Sequence, residues 1–295
     1  MKNTRSILGG IALTAATALA LSGCAGGAGG SASDPKSIEI AVFNGWDEGI
    51  AASYLWQSIL EDKGYDVTLT YADVAPVYQG LARGDFDLVL DTWLPTTHAD
   101  YMERYGDKVE DLGAWNDDAR LTIAVNADAP IDSLDELAAA SDQFGGRIIG
   151  IEPGSGLMRI TGDDVVPGYG LDGLQLVESS TPAMLAELKK ATDAGQNIAV
   201  TLWRPHWAYN AFPVKDLADP KGLLGDAESI HSVAATSFAQ DHPEVHGWIS
   251  GFSMPGDKLA SLEDAMFNQY SGDDYGPVVK QWIADNQEWV DGLTA

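Results

Sequence analysis

Three of the nine tryptophans stand where apolar, strand-like runs stop. Trp46 follows the first run in Phe43-Asn44-Gly45-Trp46-Asp47-Glu48-Gly49. Trp93 closes Asp87-Leu88-Val89-Leu90-Asp91-Thr92 just before Leu94-Pro95, and Trp203 closes Ala199-Val200-Thr201-Leu202 before Arg204-Pro205-His206-Trp207. A single tryptophan is ordinary packing material. Three at corresponding strand ends, each beside Gly, Pro or a helix start, form a pattern. Indole faces attract cations, each face contributing about 0.5 to 2 kcal/mol once water is excluded. A quaternary ammonium group suits such a surface, because it carries charge without an N–H and hydrogen bonds cannot hold it. Its methyl groups add burial at about 25 cal/mol per Å². Trp56, Trp282 and Trp289 fall within helical patterns and read as packing residues, and burial is expected for Trp115 and Trp248.

A second constellation suits the opposite charge. Ile151-Glu152-Pro153-Gly154-Ser155-Gly156-Leu157-Met158 follows a strand and enters a helix. Glycines there let the backbone approach a ligand, and the first helical N–H groups can face a carboxylate or phosphate. The same string also fits a plain strand-to-helix turn. His98 and His206 could add donors, although a lone histidine serves equally well as a cap or surface residue.

These residues need a frame. Ile38, Ile40 and Val42 alternate as in a strand, and 47–63 has helical spacing ending at Gly64. Strands are expected at 65–71, 86–92, 121–125, 147–151, 174–177 and 197–203. Helices are expected at 77–83 and 182–192, with a capping box at Ser133 and Glu136 before a short helix. The remainder reads as mainly helical, at 243–252, 262–270 and 277–289. Such alternation indicates α/β architecture with mainly parallel strands, whose ligands sit beyond the strands' carboxyl ends.

Together and in order, Gly45-Trp46-Asp47-Glu48, Asp91-Thr92-Trp93-Leu94-Pro95, Ile151-Glu152-Pro153-Gly154-Ser155-Gly156 and Trp203-Arg204-Pro205-His206-Trp207 resemble the substrate-binding lipoproteins of glycine betaine/proline betaine ABC importers. The resemblance covers residues 37–295. It implies a two-lobed periplasmic-binding-protein type II fold with a ligand cleft between the lobes. Lobe I would comprise 37–121 and 231–295, and lobe II 122–230. By the same resemblance Trp46, Trp93 and Trp203 match a prism around a trimethylammonium head. Gly156 and Leu157 match backbone amides that hold the carboxylate, and His206 and His98 match histidines that contact it in different members. Choline binders of this kind add another aromatic and an acid after the first tryptophan. Glu48 supplies the acid, but the region around 121–125 has no aromatic, which favours a betaine. Choline or carnitine binding, or a sensor lipoprotein, are the alternative readings.

Location follows from the first segment. Lys2 and Arg5 precede the apolar run 7–21, which is short for a membrane span, and then Leu21-Ser22-Gly23-Cys24. This resembles a lipobox. It implies a signal peptide over 1–23, lipidation at Cys24 and a Gly/Ala/Ser tether over 24–36, on the extracytoplasmic face of a bacterial membrane. The implied partners are a betaine, an ABC permease with its ATPase, and the membrane through the lipid anchor.

Composition excludes other classes. The 295 residues carry 17 Lys and Arg against 44 Asp and Glu, a formal net charge of −27, so no basic footprint exists for nucleic acid. The single cysteine forbids an internal disulfide. No Gly-x-Ser-x-Gly, His-Glu-x-x-His or calcium-loop pattern occurs, so no enzyme, metal or cofactor is expected.

Overall fold

The computed structural model describes residues 36–272 and 274–295. The signal segment, Cys24 and the tether up to residue 35 lie outside the described residues.

Strand β1 (Ser37–Phe43) lies between β2 (Asp66–Ala72) and β3 (Leu88–Leu94), parallel to both. Its alternating Ile38, Ile40 and Val42 are buried, and so are Ala41 and Phe43 on the opposite face. A strand covered on both faces demands this near-continuous apolar run. Helix α1 (Asp47–Asp62) follows Trp46 directly, packs on β1, β2 and β3, and stops at Lys63 before Gly64. Helix α2 (Val74–Leu81) precedes β3, and α3 (Ala99–Tyr105) follows it.

The sheet is mixed, which corrects the expectation of mainly parallel strands. Strand β4 (Val109–Asn126) is 18 residues long, and all its pairings are antiparallel. Residues 109–119 pair with β9 (Glu228–Ala235), and residues 120–125 pair with β7 (Ala199–Arg204). The other strands are β5 (Arg147–Ile149), β6 (Gln175–Val177) and β8 (Val214–Asp216), giving the order β2-β1-β3-β9-β4-β7-β5-β6 with β8 beside β4. Only the apolar second half of β4 is visible in the sequence. Its first half carries Asn116-Asp117-Asp118, residue types depleted in strands, and three register shifts bend it. Strand β9 falls in a stretch expected to be mainly helical. It is sandwiched between β3 and β4, antiparallel to both.

This topology aligns the tryptophans. Trp93 is the penultimate residue of β3, Trp203 that of β7, and Trp46 lies just beyond β1. Leu121 pairs with Trp203, bringing the middle of β4 to the same place. Among the other tryptophans, Trp56, Trp115 and Trp282 are buried, whereas Trp248 and Trp289 are half-buried.

Candidate ligand-binding cavity

A small cavity lies beyond these strand ends, lined by Trp46, Trp93 and Trp203 together with Glu48, Thr97 and His98. Leu121, Ile151, Ser155, Gly156 and Leu157 complete the wall. Six of the seven residues expected from the sequence therefore meet around one space. The seventh, His206, lies outside the lining, with its ring edge-on to Trp203 at 4.6 Å.

The indoles are held by their polar edges. Trp203 Nε1–H donates to Glu48 at 2.8 Å, Trp93 Nε1–H to Asp91 at 2.9 Å, and Trp46 Nε1–H to Glu152 at 3.4 Å. Glu152 is itself fixed by the Thr181 backbone N–H and hydroxyl at 2.8 and 2.9 Å. With the N–H satisfied, each ring can present apolar surface to the cavity without leaving a buried donor unpaired. Burial pushes the Glu48 carboxyl up to about 8, and the charge of Asp47 adds to the shift. Burial thus favours the neutral form of this acid at the wall, and a neighbouring cation would favour its ionised form.

The polar side has defined donors. The Trp93 backbone N–H donates to His98 Nδ1 at 2.8 Å, so Nδ1 is the unprotonated nitrogen and Nε2 carries the hydrogen. His98 Nε2 is buried without a partner, and burial, reinforced by the charge of Arg159, lowers the ring to about 3. The ring is therefore neutral and offers one free N–H. The helical segment starting at Gly156 adds two more donors. Ser155 caps it, its hydroxyl accepting from the Met158 N–H at 3.2 Å, while the Arg159 N–H reaches the Ser155 carbonyl. Gly156 and Leu157 supply the first two helical amides, which have no carbonyl one turn back within the helix.

Glycine is required at 156 by proximity. A Cβ there would stand 2.3 Å from the Thr97 carbonyl oxygen. That carbonyl is held in place, because Glu228 accepts from the backbone N–H groups of both Thr96 and Thr97 at 2.8 Å and from the Thr97 hydroxyl. The helix start and the histidine thus share one packed junction.

Asp91, Glu152 and Glu228 escaped the sequence reading as supports. The first two sit inside the strings that carry the tryptophans and glycines. Glu228 had no local signal, because its contact spans more than 130 residues. His206 mirrors His98: its Nδ1 accepts from the Ala208 N–H at 3.0 Å, its Nε2 is unpartnered, and burial lowers it to about 3. Among the described residues no cluster of three or more His, Cys, Asp or Glu side chains could hold a metal ion. No helix among them is long and apolar enough to cross a membrane.

A family profile described as the substrate-binding domain of ABC-type glycine betaine transport systems matches residues 36–285. The glycine betaine/carnitine transport binding protein of Listeria monocytogenes is 33% identical over 171 residues, which cover 56% of this chain. The chain spans about half, 55%, of that curated relative's length. A lactococcal protein of this family, crystallised closed around glycine betaine, superposes with a TM-score of 0.81 at 30% identity, covering 88% of this chain and all of the other. An ABC-transporter choline binding protein in complex with choline superposes with a TM-score of 0.80 at 25% identity, covering 88% and 91%.

Proposed function

Because the chain belongs to the family of substrate-binding domains of ABC-type glycine betaine transport systems, we propose that it binds glycine betaine or a related betaine and delivers it to an ABC permease and its ATPase for osmoprotectant uptake. It is a transport protein and not an enzyme. One observation carries the ligand class: three indoles, the unpartnered His98 Nε2–H and the first two residues of a helix line one small cavity. Trp46, Trp93 and Trp203 would enclose the trimethylammonium head. His98 Nε2–H and the amides of Gly156 and Leu157 would take the carboxylate. His206 would act on the ligand only through Trp203.

We take the chain as two lobes near the expected bounds, 37–121 with 231–295 and 122–230, shifted by the strand pairing: Arg120 and Leu121 already pair with β7, and residues 228–230 still pair with β3 and β4. Strand β4 would be one connection and the segment entering β9 the other, and closure would assemble a cage whose walls come from both sides. Ligand then stabilises the closed form through contacts the open form lacks. The lipobox-like Leu21-Ser22-Gly23-Cys24 supports anchoring at Cys24 on the extracytoplasmic face of the membrane. Incorporation of labelled palmitate that is lost in Cys24→Ala tests the anchor.

Choline is the second reading, favoured by the acid Glu48 at the cavity wall. Leu121 weighs against it, standing where an additional aromatic would be sought. Competitive titration with glycine betaine, proline betaine, choline, carnitine and ectoine decides. Glycine or proline betaine is expected to bind tightest. Failure of every quaternary ammonium compound overturns the proposal.

A further inference from the structure

Trp207 and Asp47 take no part in the cavity lining, yet they make a part-buried contact beside it. Trp207 Nε1–H donates to Asp47 Oδ2, joining parts of the chain 160 residues apart. Asp47 lies in the first turn of α1, directly after the cage residue Trp46. Trp207 lies four residues after Trp203, and its ring packs on His206, which in turn packs on Trp203. We propose that Asp47 and Trp207 form a latch that holds the closed cavity shut without touching the ligand, and that both are positioning residues setting ligand residence time. This rests on the two-lobe, betaine-binding reading.

Three observations separate this contact from incidental packing. First, Asp47 is only 8% exposed, and its partner is a neutral N–H, so closing demands no buried ion pair. Of the other links across the cleft, Trp203 with Glu48 and Trp46 with Glu152 belong to the cavity wall itself, and Arg159 with Asp100 at 3.3 Å joins exposed side chains that water screens. Second, the contact adjoins Trp203 on both sides. Glu48, next to Asp47, accepts the Trp203 N–H, while His206 backs the Trp203 ring. Withdrawing Trp207 would loosen the wall through His206. Third, the surroundings are built around it. Glu263 is fully buried beside the contact; burial, reinforced by the charges of Glu48 and Asp47, raises its carboxyl, and the Trp207 backbone acts against that rise. A groove lined by Trp207, Phe212 and Phe267 opens on the outer side.

The test uses the full chain carrying Cys24→Ser, with spin labels at the exposed positions Asp62→Cys and Lys190→Cys. Distances and glycine betaine dissociation are compared between this background, Trp207→Phe, Asp47→Ala and their double variant. Trp207→Phe keeps an aromatic ring but removes the N–H. It is expected to raise the dissociation rate about tenfold, the effect of losing one hydrogen bond, with association within about twofold. The short-distance population should fall. The double variant should be no worse than the poorer single one, and Asp47→Asn, which keeps an oxygen acceptor, should restore slow dissociation. A purely structural role would instead lower the ligand-free melting temperature and leave the dissociation rate unmoved. Unchanged dissociation and distances in Trp207→Phe, or fully additive effects in the double variant, overturn the latch. Absence of glycine betaine binding in the background protein overturns the betaine reading instead. In that case an unchanged distance distribution in Trp207→Phe still counts against the latch.

Discussion

A buried indole presents its face to a cavity at least cost when its N–H is satisfied elsewhere, and a carboxyl group accepts the N–H of each of Trp46, Trp93 and Trp203. Two effects follow from one substitution at such a position. Trp93→Ala or Trp203→Ala removes a face of about 0.5 to 2 kcal/mol plus buried methyl contacts, and it strands the acid behind it. Each is expected to weaken glycine betaine binding at least tenfold while the chain stays folded. Trp203→Phe keeps a ring but releases Glu48, so its affinity should fall between wild type and Trp203→Ala. Isothermal calorimetry with parallel circular dichroism checks all three, and unchanged affinity in both alanine variants would sink the cage. At this scale the sequence was informative about the rings and silent about their supports. Tryptophan is rare enough for three strand ends to stand out. Acids number 44 in total, so nothing marks Asp91, Glu152 or Glu228 until the fold brings them to an N–H.

Elements differ in legibility for a related reason. β1 and β3 are apolar on both faces and announce themselves, as does α1 through its spacing. β4 and β9 are polar in part and exist because they pair with each other and with strands far away in sequence. Local pattern cannot supply that information, although β4, pairing with both β9 and β7, joins the halves of the sheet. The turn into the helix at Gly156 is legible in the sequence, but its tight contact with Thr97 is not. That contact yields a second prediction. In Gly156→Ala the new methyl would meet the Thr97 carbonyl at 2.3 Å, and Glu228 prevents that segment from retreating. On the two-lobe reading the methyl and the Thr97 carbonyl meet only in the closed form, so ligand-free stability should hold. Betaine affinity is expected to fall at least tenfold. Thermal melts with and without ligand separate the two effects, and a wild-type ligand-induced shift in Gly156→Ala would refute the steric account.

For the molecule as a whole, charge acts on the surface and in the closed cleft in different ways. The formal net charge of −27 surrounds a cavity whose ligand would be a zwitterion, so long-range attraction contributes little. Betaine affinity should therefore change less than about threefold between 0.05 and 1 M salt, since a desolvated cage is screened far less than surface pairs. A steep decline would assign binding to surface charge. Closure carries a different electrostatic cost. Burial raises Asp47 from 3.8 to about 7, with a further push from Glu152; Glu48, Glu263 and the neutral His206 at 3.8 Å also face it. If Asp47 is solvated in the open form, the closed form binds the extra proton. Its contribution to closure is then complete below pH 4, declines as pH rises, and is exhausted above about 7. Between those limits this one group would weaken affinity by up to about tenfold per pH unit. Asp47→Asn keeps an acceptor for Trp207 and cannot titrate, so its affinity should vary with pH by about one proton less. Calorimetric titration at pH 6 in two buffers of different ionisation enthalpy measures this directly. Wild type is expected to take up more protons on binding than Asp47→Asn, and equal uptake would mean that Asp47 is already buried, or still ionised, on both sides of the closing step.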